Sequence, residues 1–493
     1  MSIRRWLILG WMVAGLQILS VAQDQSSQAP TTQDTTTQDT TTQTQDPTTQ
    51  NSVNDGTIRT APAPALSGIV GMESGSSADD TNNDDLPKIP SFLGGRGTSA
   101  SFLSELKREN FLRGGLNVSM FYDSNPLLLP SGAQSNTSET IFPNIAIEES
   151  TSRTRWTLGY AGGLTVNQNI TAQNQYAQNL NFDSQFRLSP HVNLRATELF
   201  SVTSGLFDSG TGNGLILGSG GPNTSLITPL ATQRSSVTTV ETNYHFALND
   251  LVGASGSFYD LSFTNVAPGT QLNDTQTESG SAFWLHRVYH QDWSGLSYSF
   301  QRITSNPGDD QTLVHSFMVV NTLSLWKRLT LTGFIGPQYS GNQSLPTGAT
   351  QLTRSSGWST SGGAEGGWQG ERTSVTARYT RSVSDGGGVL GAVHLQSVQG
   401  NFRRELVPGW AIAFTALYST NDSVFSTGAS SINVTTTGIS LERNVGKSIG
   451  LRMGYNHNIQ DQFGVIGTAQ SLNASQNRFF VTLSYQWAKP LGM

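Results

Sequence analysis

N-R-F-F-V-T-L-S-Y-Q-W, from Asn477 to Trp487, alternates along its whole length. Phe479, Val481, Leu483, Tyr485 and Trp487 take every second position, while Arg478, Thr482, Ser484 and Gln486 share the other face with one apolar exception, Phe480. A period of two is that of a β-strand, whose successive side chains point to opposite faces. The apolar row ends in two aromatics. That pattern is expected where a strand crosses a hydrocarbon core and its rings settle at the headgroup level.

The stretch resembles the C-terminal recognition strand of bacterial outer-membrane β-barrels. The resemblance implies an assembly role for Phe479, Val481, Leu483, Tyr485 and Trp487, read by the barrel-assembly machinery. It departs from that pattern in that Ala488 to Met493 follow the last aromatic.

The N-terminus sets the compartment. Arg4 and Arg5 precede an apolar run from Trp6 to Val21, and Ser20 and Ala22 place small residues before a cleavage site after Ala22. Residues 1–22 therefore read as an export signal, the run being shorter than the ~20 apolar residues of a spanning helix. The chain has no cysteine, so it has neither a lipid-attachment thiol nor disulfides.

Residues 23–90 are dominated by Thr, Gln, Asp, Ser and Asn, with T-T-Q-D-T near-repeats, and read as a disordered linker that cannot bury enough apolar surface to fold. They hold ten acidic residues against Arg59 and Lys88. Removing these and the signal arginines leaves 28 − 4 = 24 basic and 34 − 10 = 24 acidic residues. The folded part is thus neutral and has no basic nucleic-acid footprint. Residues 91–110 form a short lead-in segment, in which Phe102, Leu103 and Leu106 could share one helical face.

From Phe111 to Trp487 the text is strand after strand. Leu112, Leu116, Val118 and Met120 alternate with Arg113, Asn117 and Ser119. Trp156, Leu158, Tyr160, Leu164 and Val166 alternate with Arg155, Thr157 and Thr165, and Leu180, Phe182, Phe186 and Leu188 with Asn181, Asp183, Gln185 and Arg187. Short connections, such as Ser189 to His191 and Val407 to Gly409, alternate with mostly longer ones rich in Gly, Asn, Ser, Thr and Pro, among them Ser204 to Thr232, Asn265 to Thr275, Asp385 to Gly388 and Asp461 to Asn473. This alternation predicts an all-β, up-and-down transmembrane barrel of about 16–18 antiparallel strands, with tight periplasmic turns and looser external loops. Charged residues make up 13% of the chain, about half the usual share of a soluble protein, in keeping with the outer membrane. Leu313 to Trp326 has apolar residues on both faces, and Thr353 to Gly367 is too rich in Gly and Ser to fix its face.

If the apolar rows meet lipid, Arg113, Arg155, Asp183, Arg187, Arg195, Arg378, Arg452 and Arg478 line the pore. Arginines with few carboxylates beside them would favour anions; paired with acids, they would instead hold a packed interior. Both readings stand on the sequence. A barrel this wide leaves an aqueous channel. The expected function is a porin-like channel for passive diffusion of small polar or anionic solutes, and the alternative is a structural or export-associated barrel with a closed or partner-gated lumen. The loop Ser204 to Thr232 carries apolar residues, Leu206, Phe207, Leu215, Ile216 and Leu217, that would fit either a constriction or a lid. No catalytic motif is present, and His286 with His290 reads as interfacial rather than as a metal site, so neither an enzyme nor a cofactor is expected.

The stretch F-Y-D-S-N-P, Phe121 to Pro126, resembles the Y-D-D-N-like motif that opens the barrel in β-barrel porins of the exopolysaccharide-associated type, with Ser124 in place of the second acid. The resemblance implies polysaccharide-export components as partners and carries over no binding residue. Membrane lipid and a second copy of the chain complete the expected partners.

Deleting Gln23 to Pro90 behind the signal should leave a heat-modifiable barrel band in outer-membrane fractions. Loss of that band would give the linker a role in assembly.

Overall fold

A computed structural model describes residues 110–491 apart from 128–131, 171–173, 205–222, 224–225, 227–230, 267–271, 290, 306–309, 326–327, 345–350, 425–429, 447 and 464–472. The signal, the linker, residues 91–109 and the apolar pieces of the longest loop lie outside the described residues, as does His290.

The strands are β1 (Asn110–Asp123), β2 (Asn136–Ser150), β3 (Thr154–Asn167), β4 (Gln175–Ser189), β5 (Val192–Ser204), β6 (Thr232–Ala247), β7 (Asp250–Thr264), β8 (Thr275–Tyr289) and β9 (Asp292–Ser305). They continue as β10 (Asp310–Leu325), β11 (Leu329–Ser344), β12 (Thr353–Gln369), β13 (Thr373–Gly386), β14 (Leu390–Val407), β15 (Trp410–Ser423), β16 (Ser431–Val445), β17 (Ile449–Phe463) and β18 (Ala474–Pro490). Each pairs antiparallel with its neighbours in the chain, and β1 pairs with both β2 and β18, closing one 18-stranded sheet. The predicted count, topology and alternation of connections are those of the structure. Strands of 13 to 18 residues exceed the ~9–11 that cross a bilayer, so they continue beyond it.

The two faces have the predicted chemistry. On β1, Leu116, Val118, Met120 and Tyr122 are exposed on the outside, while Asn117, Ser119 and Asp123 are buried towards the interior. On β18, Phe479, Val481, Leu483, Tyr485 and Trp487 face out, and Arg478, Phe480, Thr482 and Ser484 face in. Lipid offers no hydrogen-bond partners to backbone groups, and a closed sheet supplies them wherever neighbouring strands pair. The chain is a transmembrane β-barrel of the outer-membrane type.

Glycines opposite aromatics shape the wall. In register, Gly114 faces Trp487, Gly253 faces Phe283, Gly363 faces Phe334 and Gly454 faces Phe480. In each pair the ring covers the space a side chain on the glycine would fill. The rings can therefore lie flat along the sheet. That accounts for Phe480, the apolar exception on the inward face of the last strand.

The interior differs from expectation in one respect, because it is not polar all round. Leu251, Phe283, Leu285, Trp293, Met318, Val320 and Phe334 form one buried cluster on the inward face of β7 to β11. This explains the two apolar faces of Leu313 to Trp326: Val314, Met318 and Val320 point in, and Leu313, Phe317 and Val319 point out. The Gly- and Ser-rich β12 pairs with β11 along its full length, but with β13 only from Gly362↔Arg381 to Gln369↔Ser374.

At the closing seam the Arg478 guanidinium donates to Asp123 at 2.9 and 3.1 Å, with both side chains almost wholly buried. Gln476 Nε2 donates to the same carboxylate at 2.8 Å, and Asn125 Nδ2 reaches the Ser475 carbonyl at 3.1 Å. Replacing Asp123 by Ala should leave the buried arginine without its carboxylate, a change that typically costs about 3–5 kcal/mol. The temperature at which the folded band converts to the unfolded one on gels should fall, and a joint Asp123→Leu, Arg478→Met change should recover much of the loss. An unchanged transition for Asp123→Ala would remove the seam pair from the account.

Candidate functional site: the lumen and its constriction

Strand register brings each proposed pore-lining arginine to a wall position that faces in, and brings carboxylates with it. Arg113 of β1 and Arg155 of β3 both bind Glu148 of β2, at 2.9 and 2.6 Å. Arg403 of β14 and Arg452 of β17 share Glu442 of β16, at 3.0 and 3.6 Å. Arg195 binds Asp183 through two nitrogens, at 2.5 and 3.1 Å, and stands opposite Glu241 in the ladder. Arg378 stands opposite Glu365, and Arg187 opposite Asn193 close to the β4–β5 turn.

The expectation of few inward acids is thus corrected, since Asp123, Glu148, Glu241, Glu365 and Glu442 join Asp183 inside. Between the two sequence readings, the pairing favours arginines that hold the interior together. A positive balance remains in the two Arg–Glu–Arg triads, where two guanidinium groups share one carboxylate. All of these groups except the Asp123–Arg478 pair lie in the strand halves nearer the short turns. The inner girdle there is charged along β12 to β6, through β18 and β1, and mostly apolar along β7 to β11, where the Arg287 guanidinium lies over the Trp293 ring, 5.9 Å from its centroid.

At the opposite end the lumen is crossed by an element that the sequence reading placed outside. The connection Asp385 to Gly388, expected to be an external loop, is the tip of a hairpin folded into the barrel. Its start is the end of β12–β13 pairing at Gly362↔Arg381, beyond which β13 pairs with β14 and β14 with β15 up to Val393↔Ser423. Freed from β12, the hairpin packs Val383 and Ala392 on Ile303 of β9 and Val314 of β10, whose side chains point into the barrel. Those strands are separated from β13 by two others in the sheet, so this contact crosses the interior. Val389, Leu390, Val393 and Leu395 pack against Ile432 and Val434 of β16 and against Leu226 of the longest loop.

The tip turns through Gly387 and Gly388, at φ +58 and +79, a region that other residues enter only at a steric cost. The Phe263 ring lies against Gly388 where a side chain would stand, and the Asn273 amide donates to the Gly388 carbonyl at 2.7 Å. Asn223 clamps the longest loop to this tip. Its backbone N–H donates to Asp385 Oδ1 at 2.9 Å, and its side-chain amide donates to the Asp385 carbonyl at 2.9 Å and to Asn421 Oδ1 at 2.8 Å. The Asp385 carboxylate also accepts from the Gly387 amide and the Ser384 hydroxyl, both at 3.2 Å. Asp385 and Asn421 are fully buried and Asn223 nearly so. Short hydrogen-bond paths to a buried carboxylate make this a rigid junction.

The sequence does hold a trace of the hairpin. D-G-G-G-V-L-G-A-V-H-L, Asp385 to Leu395, is apolar on both faces after its glycines, which suits a segment with protein on both sides. His286 stands near a short turn, 2.9 Å from Asp250, which also accepts from the Trp284 indole at 3.1 Å. This fits an interfacial residue. Among the described residues no group of His, Asp or Glu has the makings of a metal site.

No family model matches the chain, and no curated protein does. Solved structures with a similar course of chain include OprD of Pseudomonas aeruginosa, at 12% identity and a TM-score of 0.40 over 79% of this chain and 100% of that one. OccAB1 of Acinetobacter baumannii aligns at 11% identity and 0.41 over 77% and 96%, and the outer membrane protein OpdK of P. aeruginosa at 10% and 0.40 over 77% and 99%.

Asn223→Ala removes two side-chain hydrogen bonds from the clamp, each worth about 1 kcal/mol net, which corresponds to roughly thirty-fold in the ratio of released to clamped states. Single-channel recordings should show larger or more frequent open levels than the wild type. Identical recordings would mean that the junction does not limit the passage.

Proposed function

We propose that this barrel is a porin-like channel through which small polar or anionic solutes diffuse passively across the outer membrane, and that it performs no chemistry. The observation that carries the reading is the closed 18-stranded wall, apolar outside and largely polar inside, narrowed at its long-loop end by the in-folded β13–β14 hairpin. Eighteen strands enclose more space than side chains alone fill. An inward segment then sets the size limit, and the lumenal charges set the preference among solutes small enough to pass.

Charge preference follows from the triads. Each pairs two guanidinium groups with one carboxylate, so the girdle near the short turns has two local positive excesses, while Arg195 between Asp183 and Glu241 has the opposite balance. The net field is weakly positive over the triads, and a mild anion preference is its consequence.

The fully buried clamp favours a second reading, in which the hairpin closes the lumen until a partner releases it. The Phe121–Pro126 resemblance names polysaccharide-export components as that partner.

Under a salt gradient across a planar bilayer, the reversal potential of the wild-type channel should have the sign of anion preference. Glu148→Gln should enlarge it by removing the negative charge that two guanidinium groups share, and Arg155→Ser should move it towards zero. A cation-selective potential, or one unmoved by either change, would overturn the assignment of selectivity to the triads.

A further inference from the structure

The outward face of the barrel is not uniformly suited to lipid, and on β5 a carboxylate stands at mid-strand. Glu198 points outward in the middle of β5, between Ala196 and Phe200, with Phe182 of β4 on one side and Thr238 of β6 on the other. Its carboxylate accepts hydrogen bonds from the Ser236 hydroxyl at 2.8 Å and from the Thr238 hydroxyl. A carboxylate has about four acceptor positions. Acyl chains can satisfy none of the others, and ionisable side chains at such depth mark interactions with something other than lipid.

The neighbouring outward positions share this character. The outward row of β6 reads Thr232, Arg234, Ser236, Thr238, Val240, Thr242 and Tyr244, mostly hydroxyls where β1 and β18 present Leu, Val, Met and aromatics. Beyond it, β7 is flat at Ala254 and Gly256, and on the other side β4 is bulky at Leu180, Phe182 and Phe186. Nearer the long-loop end the surface has both charge signs, Arg234 on β6 and Asp260 on β7.

We propose that this face is the contact between two copies of the chain, related by a two-fold axis that runs parallel to the barrel axis between β5 and β6. Such an axis keeps every residue at its own depth in the membrane and brings β5 of one copy against β6 of the other, and β4 against β7. Glu198 of each copy then meets the hydroxyl row of its partner. In the ladder Phe186 is level with the flat surface at Ala254 and Phe182 with Phe258, so an aromatic of one copy has a small residue or a ring to pack on, and small residues are what allow two membrane walls to approach closely. A lipid headgroup accounts for the charges near the rim but not for the carboxylate and hydroxyls at mid-depth, which is why a second copy is preferred.

Because the chain has no cysteine, single-cysteine variants test the contact cleanly. Val240 on β6 and Val398 on β14 are comparably exposed on the belt, at 45% and 52%, and lie on opposite sides of the barrel. In outer-membrane vesicles treated with a mild thiol oxidant, Val240→Cys should give a disulfide-linked dimer and Val398→Cys should not. Equal yields from the two positions, or none from Val240→Cys, would overturn the proposal. Light scattering of the purified full chain in detergent should give a dimer mass for the wild type and a shift towards monomer for Glu198→Leu, with the heat-modifiable band retained in both. A monomeric wild type, or a dimer indifferent to Glu198→Leu, would also refute it.

Discussion

The rest of this structure depends on the pairing of its last strand with its first. In hydrocarbon an unpaired backbone N–H or C=O costs several kcal/mol, so a sheet that failed to close would expose two full edges to lipid. Thirteen register pairs between β1 and β18, from Phe111↔Pro490 to Asp123↔Arg478, remove both. The buried ion pair at the long-loop end of this seam adds specificity of register, because a slip of either strand by one residue would send its member of the pair to the lipid face and leave the other behind. The F-Y-D-S-N-P stretch acquires a physical meaning in this setting. Phe121, Asp123, Asn125 and Pro126 are its buried members, and the first three belong to the network that joins the two ends of the barrel.

Closure creates an interior that the chain furnishes unevenly. Glycine opposite an aromatic lets rings lie along the wall, and charged residues are drawn into pairs because an isolated charge in a partly desolvated lumen is costly. The two Arg–Glu–Arg triads, the apolar arc on β7 to β11 and the in-folded hairpin are three outcomes of that crowding. The hairpin has the most direct functional consequence. By leaving β12 it gives up ladder hydrogen bonds on one side, and its apolar packing together with the Asn223–Asp385–Asn421 junction replaces them.

What could be read from the sequence was local in character. Alternation within a strand shows directly which residues share a face, so the outward rows of β1, β3, β4 and β18 and the inward positions of Arg113, Arg155, Arg187, Arg195, Arg378, Arg452 and Arg478 were legible. The alternation of short and long connections gave topology and strand number. What was not legible depends on register between strands. Glu148 lies far along the chain from Arg113, and Glu442 from Arg403; nothing in the spacing of one strand announces a partner on the next. The hairpin was missed because its three glycines look like any exposed turn, and only the apolar residues on both of its faces mark it as enclosed. Ambiguity in Leu313 to Trp326 had the same origin, since a strand with protein-facing apolar residues inside and lipid outside loses the alternation that identifies it.

On this reading the barrel holds a water-filled passage narrowed, but not sealed, at one end. Reconstituting the purified full chain into a planar bilayer and recording current at fixed voltage tests this most directly. Discrete, reproducible conductance steps from protein that also runs as a heat-modifiable barrel are the predicted result. A silent bilayer containing the same correctly assembled protein would contradict it, and would mean that the hairpin closes the lumen completely.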